Sequence, residues 1–334
     1  MGRREEWLRI GAAVLVVAVL VALFVRDRHS SPDADRDDRA SVTEASTVPS
    51  AEGPPDASPD GTDGGSASGS DGPGGPDDAV PSPPEGLEEL VCQQLQLPVT
   101  LRVLSFNTHR STGSTNSVAE EILEVDPDVV LLQEVDRRML RTGNVDQAEV
   151  LADAVGMDGS FSTNLVRGSG QYGTLILSRY PIVQQGRISL VRSPRSEARG
   201  LQWVTLEVDG RAVRVYNTHL DATRPDVRLA QARQVAGVLA GDDLPTVLGG
   251  DLNAWPGSAA VATIGSELTD TWTAAGQGPE ATSHGGRKID YLFARDLEPV
   301  TSRVATSGAS DHNRLWADLR LAPPDRCEQS SSSG

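Results

Sequence analysis

Lysine is nearly absent from this chain, which has a single one, Lys288, among 30 Lys and Arg residues; 47 Asp and Glu bring the formal net charge to −17 over 334 residues. That shortage of positive charge excludes a classical basic nucleic-acid-binding domain as the dominant reading. Cysteine is equally scarce, with only Cys92 and Cys327, so a zinc-finger framework is excluded. Neither a Gly-X-Y period nor a sustained heptad is present, which removes collagen and coiled coil. Aromatic residues make up 4% of the chain and are missing altogether between Ser30 and Gly86.

What is present is unevenly distributed. Residues 1–26 carry a net charge of +2, residues 27–91 carry −13, and residues 92–334 carry −6. Length alone suggests two ordinary domains or one large α/β domain with tails. From 30 to 86 the chain is largely Asp, Ser, Pro, Gly, Ala and Thr. Such a composition buries too little apolar surface to offset the entropy of ordering, so residues 26–91 are predicted to be a disordered, acidic linker. The tail 328–334 reads the same way. Compact structure is expected over 92–327.

Ile10 to Val25 is an uncharged apolar run behind a short polar tail, residues 1–9. At about 1.5 Å per residue it reaches ~24 Å, somewhat short of a hydrocarbon core of roughly 30 Å; Trp7 and Leu8 lengthen it. A cleaved signal peptide and an uncleaved anchor compete. Arg26-Asp27-Arg28-His29 follows without a small-x-small cleavage site, which favours a transmembrane signal anchor over 10–25. Arginines flank both ends, so the charge rule does not orient it. The N-terminal position favours a cell-membrane, single-pass protein with its C-terminal body exported, or a secreted one if the segment is cleaved. In an exported protein Cys92 and Cys327, standing at the two borders of the folded region, read as a disulfide; in a reducing compartment they would be two separate thiols.

Between those borders two periods alternate. Apolar runs rich in β-branched residues occur at 99–106, 128–133, 173–178, 201–208, 212–218, 245–249, 288–293 and 314–321. Helical spacing appears at 117–125 and 226–240, the latter opened by Pro225. Asp209-Gly210 separates two runs as a hairpin turn does. The pattern predicts a layered α/β or α+β domain.

Polar residues fall at the ends of these runs: Asn107 in LSFNTH, Glu134 in LLQEV, His219 in YNTHLD, Asp251 and Asn253 in LGGDLNAW, and Asp290 in KIDYLF. Asp311 and His312 in ASDH precede the 314–321 run. Rigid scaffolds place functional groups at such ends. Oxygen ligands suit a hard cation such as Mg²⁺, and imidazoles beside one suit phosphoester hydrolysis.

In this order the motifs resemble the endonuclease/exonuclease/phosphatase superfamily, the DNase I-like hydrolases, over about residues 98–321. The resemblance implies a four-layer sandwich of two packed mixed β-sheets flanked by helices, and a divalent-metal-dependent phosphoester hydrolase using Mg²⁺, for which Mn²⁺ can substitute. It implies Asn107, Glu134 and Asp311 at the metal, with His312, oriented by Asp290, and His219 as an acid–base pair or as stabilisers of phosphoryl oxygens. Asp251 would position or deprotonate water, and Asn253 would bind a non-bridging oxygen. Which imidazole is the base stays open, as does the number of ions. The same topology would bring the chain near Cys92 and Cys327 together at the opposite pole.

Two positions depart from the family pattern. Thr174 stands where an Asn is common, and His109, where some members have an acidic residue, reads either as structural, the favoured reading, or as approaching the site. Arg187, Arg192, Arg195 and Arg199 cluster in sequence. They read either as a solvated loop or as a phosphate clamp with Arg199 as its best candidate. The expected activity is that of a monomeric phosphodiesterase or nuclease. The alternatives are a phosphatase or phospholipase-type enzyme acting on lipid or inositol phosphates, and an inactive binding module on the same fold.

Overall fold

The computed structural model describes residues 98–112 and 114–323. The apolar segment 10–25, the linker 26–91, both cysteines and the tail 328–334 lie outside the described residues. Among the described residues no helix is long and apolar enough to cross a membrane.

The first half of the domain runs β1 (Val99–Asn107), α1 (Thr115–Val125), β2 (Val129–Arg137), α2 (Gln147–Val155), β3 (Asp158–Arg167), β4 (Gly170–Ser178), β5 (Ile182–Ser189), β6 (Gly200–Val208) and β7 (Arg211–His219). It continues through α3 (Pro225–Leu239), β8 (Thr246–Asp251), α4 (Ala259–Gly265), β9 (Thr269–Asp270), α5 (Thr271–Ala275), β10 (Gly276–Gln277), β11 (Asp290–Arg295), β12 (Leu297–Ala305) and β13 (Arg314–Leu321). One sheet has the order β10-β12-β13-β1-β2-β4-β3 and the other β5-β6-β7-β8-β11-β9. Each is mostly antiparallel around one central parallel pair, β1 with β2 and β7 with β8. A helix crosses over within each pair, α1 in the first and α3 in the second, so each sheet is built on a βαβ unit.

Strand alternation explains the layers. Val103, Val129, Leu131 and Ile176 of the first sheet face Val204, Val213, Val215, Val247 and Leu292 of the second in one core between the sheets. Their sequence neighbours Leu104, Val130, Leu132 and Leu177 point outward onto α1 and α2, through Val118, Ile122 and Leu151. On the far side Tyr216, Leu248 and Phe293 meet Val235, Leu239 and Ile264 of α3 and α4. Each such side chain, taken fully out of water, contributes about 1.5–3 kcal/mol. The domain is thus two packed mixed sheets with helices outside, as expected.

All eight anticipated strands and both anticipated helices are present. The 209–210 hairpin is present too, with φ of 48° at Asp209 and 75° at Gly210, the pair of positive values a two-residue hairpin turn requires. Strands β3, β5, β9, β10 and β12 and helices α2, α4 and α5 were not anticipated. Strand β5 lies at a sheet edge and is largely exposed, and β12 carries Pro299 at a bulge, so neither shows a clean apolar alternation.

Candidate functional site

The carboxyl ends of the two parallel pairs meet at one edge of the sandwich, where open α/β sheets place their ligands. Strand β1 delivers Asn107, β2 delivers Glu134, β7 delivers His219 and β8 delivers Asp251. Asp290 opens β11 directly opposite Asp251 in the antiparallel register. His312 stands just before β13, which pairs with β1.

Local geometry explains how each is aimed. A bulge between Leu132 and Val135 breaks the β2–β4 ladder, and Glu134 takes φ 60° there. Gly250, at φ 143°, lets β8 pass Thr218 so closely that a Cβ would lie 1.9 Å from the Thr218 carbonyl oxygen. Only glycine fits immediately before Asp251. Beneath the site, Gln133 donates from Nε2 to Asn217 Oδ1 at 2.9 Å, and Asn217 Nδ2 donates to the carbonyls of Leu132 and Leu175 at 2.9 and 3.1 Å. These fully buried amides clip one sheet to the other.

Asp251 is the hub. Asn107 donates from Nδ2 to its Oδ2 at 3.1 Å, and the Asn253 backbone N–H donates to its Oδ1 at 2.7 Å. His219 Nε2 lies 3.4 Å and His312 Nε2 3.8 Å from the same Oδ2. His312 Nδ1 faces both oxygens of Asp290, at 2.9 and 3.1 Å. Asn253, at φ 50°, ties one amide N–H to the Leu220 carbonyl at 3.1 Å, leaving the other for a ligand. The remaining expected residues adjoin this network. Glu134 Oε2 is 3.1 Å from Arg110 Nε, and the half-exposed Asp311 is 3.4 Å from His109 Nδ1. Six of the eight expected catalytic and metal-site residues are thus joined around Asp251, while Glu134 and Asp311 stand against Arg110 and His109 of the turn after β1.

Arg199 reaches the site as well, buried, with Nη1 2.9 Å from His219 Nδ1 and 3.1 Å from Glu197 Oε1. The other arginines of its sequence cluster do not accompany it: Arg187 binds Ser189 and Asn164 on the exposed face of β5, and Arg192 and Arg195 sit in the exposed loop that follows. His109 lies against Asp311 at the rim, in keeping with the reading in which it approaches the site. Arg110 and Tyr172 were not anticipated at all. Arg110 is carried in by three consecutive positive-φ residues, His109 to Ser111, a turn invisible to periodicity.

Charge states follow from burial and neighbours. Burial, reinforced by Asp290, raises the Asp251 carboxyl, while His312 and the Asn253 and Asn107 donors pull it back only in part. Burial opposes the charge on His312, but Asp290, Asp251 and Asp311 outweigh it and push the imidazole up to about 10. His219 goes the other way: burial, then the charges of Arg199, His312 and Arg110, hold it well below its ordinary value. One histidine is therefore a cation and the other is neutral.

Asp251, Asp290 and His312 offer ligand atoms within 4.8 Å of one another. A protonated His312 whose Nδ1–H is committed to Asp290 is nonetheless a poor metal ligand. Asn107, Glu134 and Asp311 supply oxygen donors, and Glu134 Oε2, though ion-paired with Arg110 Nε at 3.1 Å, makes no aligned hydrogen bond to it. That set fits a hard cation. A cavity of about 680 Å³ lies beside α4 and β11, away from this chemistry. A smaller depression of about 330 Å³, lined in part by Asn253, Arg228, Trp255 and Arg287, adjoins the site.

Two mixed sheets carrying paired His and Asp residues at one edge define a sandwich of the phosphoesterase type. Residues 104–312 match the Endonuclease/Exonuclease/phosphatase family, and the chain belongs to that family, whose members are hydrolases acting on phosphoesters and typically depend on a divalent metal. It is similar to the uncharacterized protein YbhP of Escherichia coli (strain K12), 28% identical over 247 residues, which cover 66% of this chain and 97% of the relative. A solved endonuclease/exonuclease/phosphatase from Beutenbergia cavernae shares 27% identity and a TM-score of 0.56 over 67% of this chain and 72% of that one. The human Nocturnin catalytic domain, solved with a bound sulfate anion, shares the fold at 20% identity and a TM-score of 0.55, over 67% of this chain and 96% of that one.

Proposed function

We propose that the protein is a divalent-metal-dependent phosphoester hydrolase, most strongly a phosphodiesterase or nuclease, working with Mg²⁺ or Mn²⁺. The observation that carries this reading is the buried Asp251 side chain set between His219 Nε2 at 3.4 Å and His312 Nε2 at 3.8 Å. Asn107, Glu134 and Asp311 would hold the cation, which supplies charge neutralisation at a phosphoryl oxygen. The chain's own groups do the rest. Asp251, with its raised pKa, takes a proton from water as the water oxygen attacks phosphorus, and the bond to the leaving oxygen breaks on the opposite side. His312 enters the reaction protonated, so it is not the base; steadied by Asp290, it is the charged donor that gives its Nε2 proton to the departing oxygen. The free amide N–H of Asn253 supplies a second donor to the phosphoryl oxygens.

The test is the full chain assayed on plasmid DNA, RNA, sphingomyelin, inositol phosphates and a generic phosphodiester, with and without chelator. Metal-dependent cleavage of diesters is expected. Phosphomonoester hydrolysis alone would overturn the substrate class, and chelator-resistant hydrolysis would overturn the metal. The apolar segment 10–25 supports a further part of the proposal, a membrane-anchored and exported enzyme. Extraction of the protein by alkaline carbonate, or protection of the domain from external protease in intact cells, would refute it.

A further inference from the structure

The phosphoester-hydrolase reading leaves two tasks open: what His219 does, and why an arginine is buried against it. Arg199 ends the loop before β6, and its backbone is braced on two sides. Its carbonyl accepts from Leu190 N–H at 3.0 Å, and the next carbonyl, of Gly200, accepts from Thr218 Oγ1 at 3.1 Å. Its guanidinium is only 6% exposed and lies between Glu197 and His219, with the buried Tyr172 beside it. The Nη1–Nδ1 separation of 2.9 Å is a hydrogen-bond distance.

Guanidinium groups have donors and no acceptor, so Nδ1 of His219 must be the acceptor in this bond. The ring proton is thereby placed on Nε2, which points at Asp251 Oδ2. We infer that Arg199 is a positioning residue that locks His219 in the Nε2–H tautomer, making it a fixed neutral donor at the attacked phosphate and removing it from contention as the general base. This inference rests on the hydrolase reading for its function, though not for its geometry. The groups that face the ring are Arg199 from the loop before β6, Asp251 from β8, His312 from the loop before β13 and Arg110 from the turn after β1. None of the three cations among them can accept a proton from His219, and Asp251 can only receive its Nε2–H. This is a different task from the phosphate clamp that the sequence suggested for Arg199. A clamp touches substrate, whereas this guanidinium is turned inward onto a side chain.

The chain contains five histidines, so long-range ¹H–¹⁵N correlation spectra of the ¹⁵N-labelled full-length protein are resolvable, with His219→Gln giving the assignment. We expect one hydrogen-bonded, unprotonated Nδ1 and one protonated Nε2 at His219, unchanged between pH 5 and 8. Arg199→Met removes the donor: the pattern becomes a tautomer mixture or an imidazolium at the acid end. The turnover number kcat then falls about ten- to a hundredfold, part of the ~10²–10³ expected for losing such a donor outright, with little change in KM. Arg199→Lys, which keeps a cationic donor, restores the pattern and most of kcat.

A proton on Nδ1 in the unmutated protein overturns the inference, as does an unaltered His219 pattern in Arg199→Met or a raised KM with kcat intact. The His284 signals report whether each variant is folded; if Arg199→Met is not, the unmutated spectrum and Arg199→Lys decide. The expected spectrum in a chain that hydrolyses no phosphoester would end the functional reading and leave the tautomer assignment standing. The opposite tautomer in an active hydrolase would do the reverse.

Discussion

Replacing Asp290 by Asn should move the whole pH profile of the enzyme toward acid. Asp290 holds His312 through Nδ1 at 2.9 Å, and the imidazole is raised from 6.5 to about 10 against the opposition of burial. One pKa unit is 1.36 kcal/mol, so the surrounding carboxylates favour the imidazolium by a net amount on the order of a few kcal/mol. Without Asp290, burial gains the upper hand and His312 loses its proton near neutrality. The same substitution removes a negative charge that raises Asp251, so that carboxyl ionises at lower pH. An enzyme that needs Asp251 ionised and His312 protonated has a bell-shaped profile, whose limbs belong to the coupled group and not to either residue alone. Both limbs shift to lower pH in Asp290→Asn. At pH 8 the loss in kcat should reach about 10²-fold or more, with partial recovery near pH 5–6. Stability follows the same residue. Because the folded-state pKa of His312 is raised, its contribution is complete below about 6.5 and is lost as pH rises through about 10. The denaturant midpoint of the unmutated protein should fall across that window, and that of Asp290→Asn should fall less. Stopped assays over pH 5–10 with a non-ionising diester measure the first effect. An Asp290→Asn enzyme with an unshifted alkaline limb would refute the assignment of His312 as the obligatory cation.

Three further outcomes are expected. Glu134→Gln removes a charged oxygen from the cation site and should raise the Mg²⁺ concentration for half-maximal activity by about tenfold or more, with little change in thermal stability. Asn217→Leu strands the Gln133 donor and two carbonyls between the sheets, and should cost about 2–4 kcal/mol, read as a lowered denaturant midpoint at constant slope. Gly250→Ala cannot keep the approach to Thr218 and should displace Asp251, abolishing hydrolysis along with a loss of about 3 kcal/mol or more in stability. An active, stable Gly250→Ala protein would show that β8 tolerates a side chain there.

Much of the fold was legible because central strands carry short apolar runs that include β-branched residues, as at VVLL in β2 and TVL in β8. The site was legible because those runs end in Asn, Glu, His and Asp in a fixed order. The unread parts have physical causes. Strands β3 and β5 are half-exposed and mix polar residues on both faces, leaving no period to detect. Helix α2 spans only Gln147–Val155; its Asp146 cap with Glu149 three residues on was a signal available in the sequence. Arg110 reaches the site through a positive-φ turn and Tyr172 from the start of β4, and no local pattern reports either. Arg199 was noticed for its charge, but its inward orientation depends on how the loop after β5 closes over β7.

The position of β1 has a consequence for how the enzyme comes into being. This strand lies in the interior of its sheet, yet one of its two neighbours, β13, is synthesised roughly two hundred residues after it, from Val99 to Leu321. Until that late segment emerges, β1 presents an open hydrogen-bonding edge and His312 does not yet exist beside Asp290. Pairings of such long range close slowly. A nascent or truncated chain is thus catalytically silent, and hydrolytic capacity arrives in a single step when the final strand zips into place.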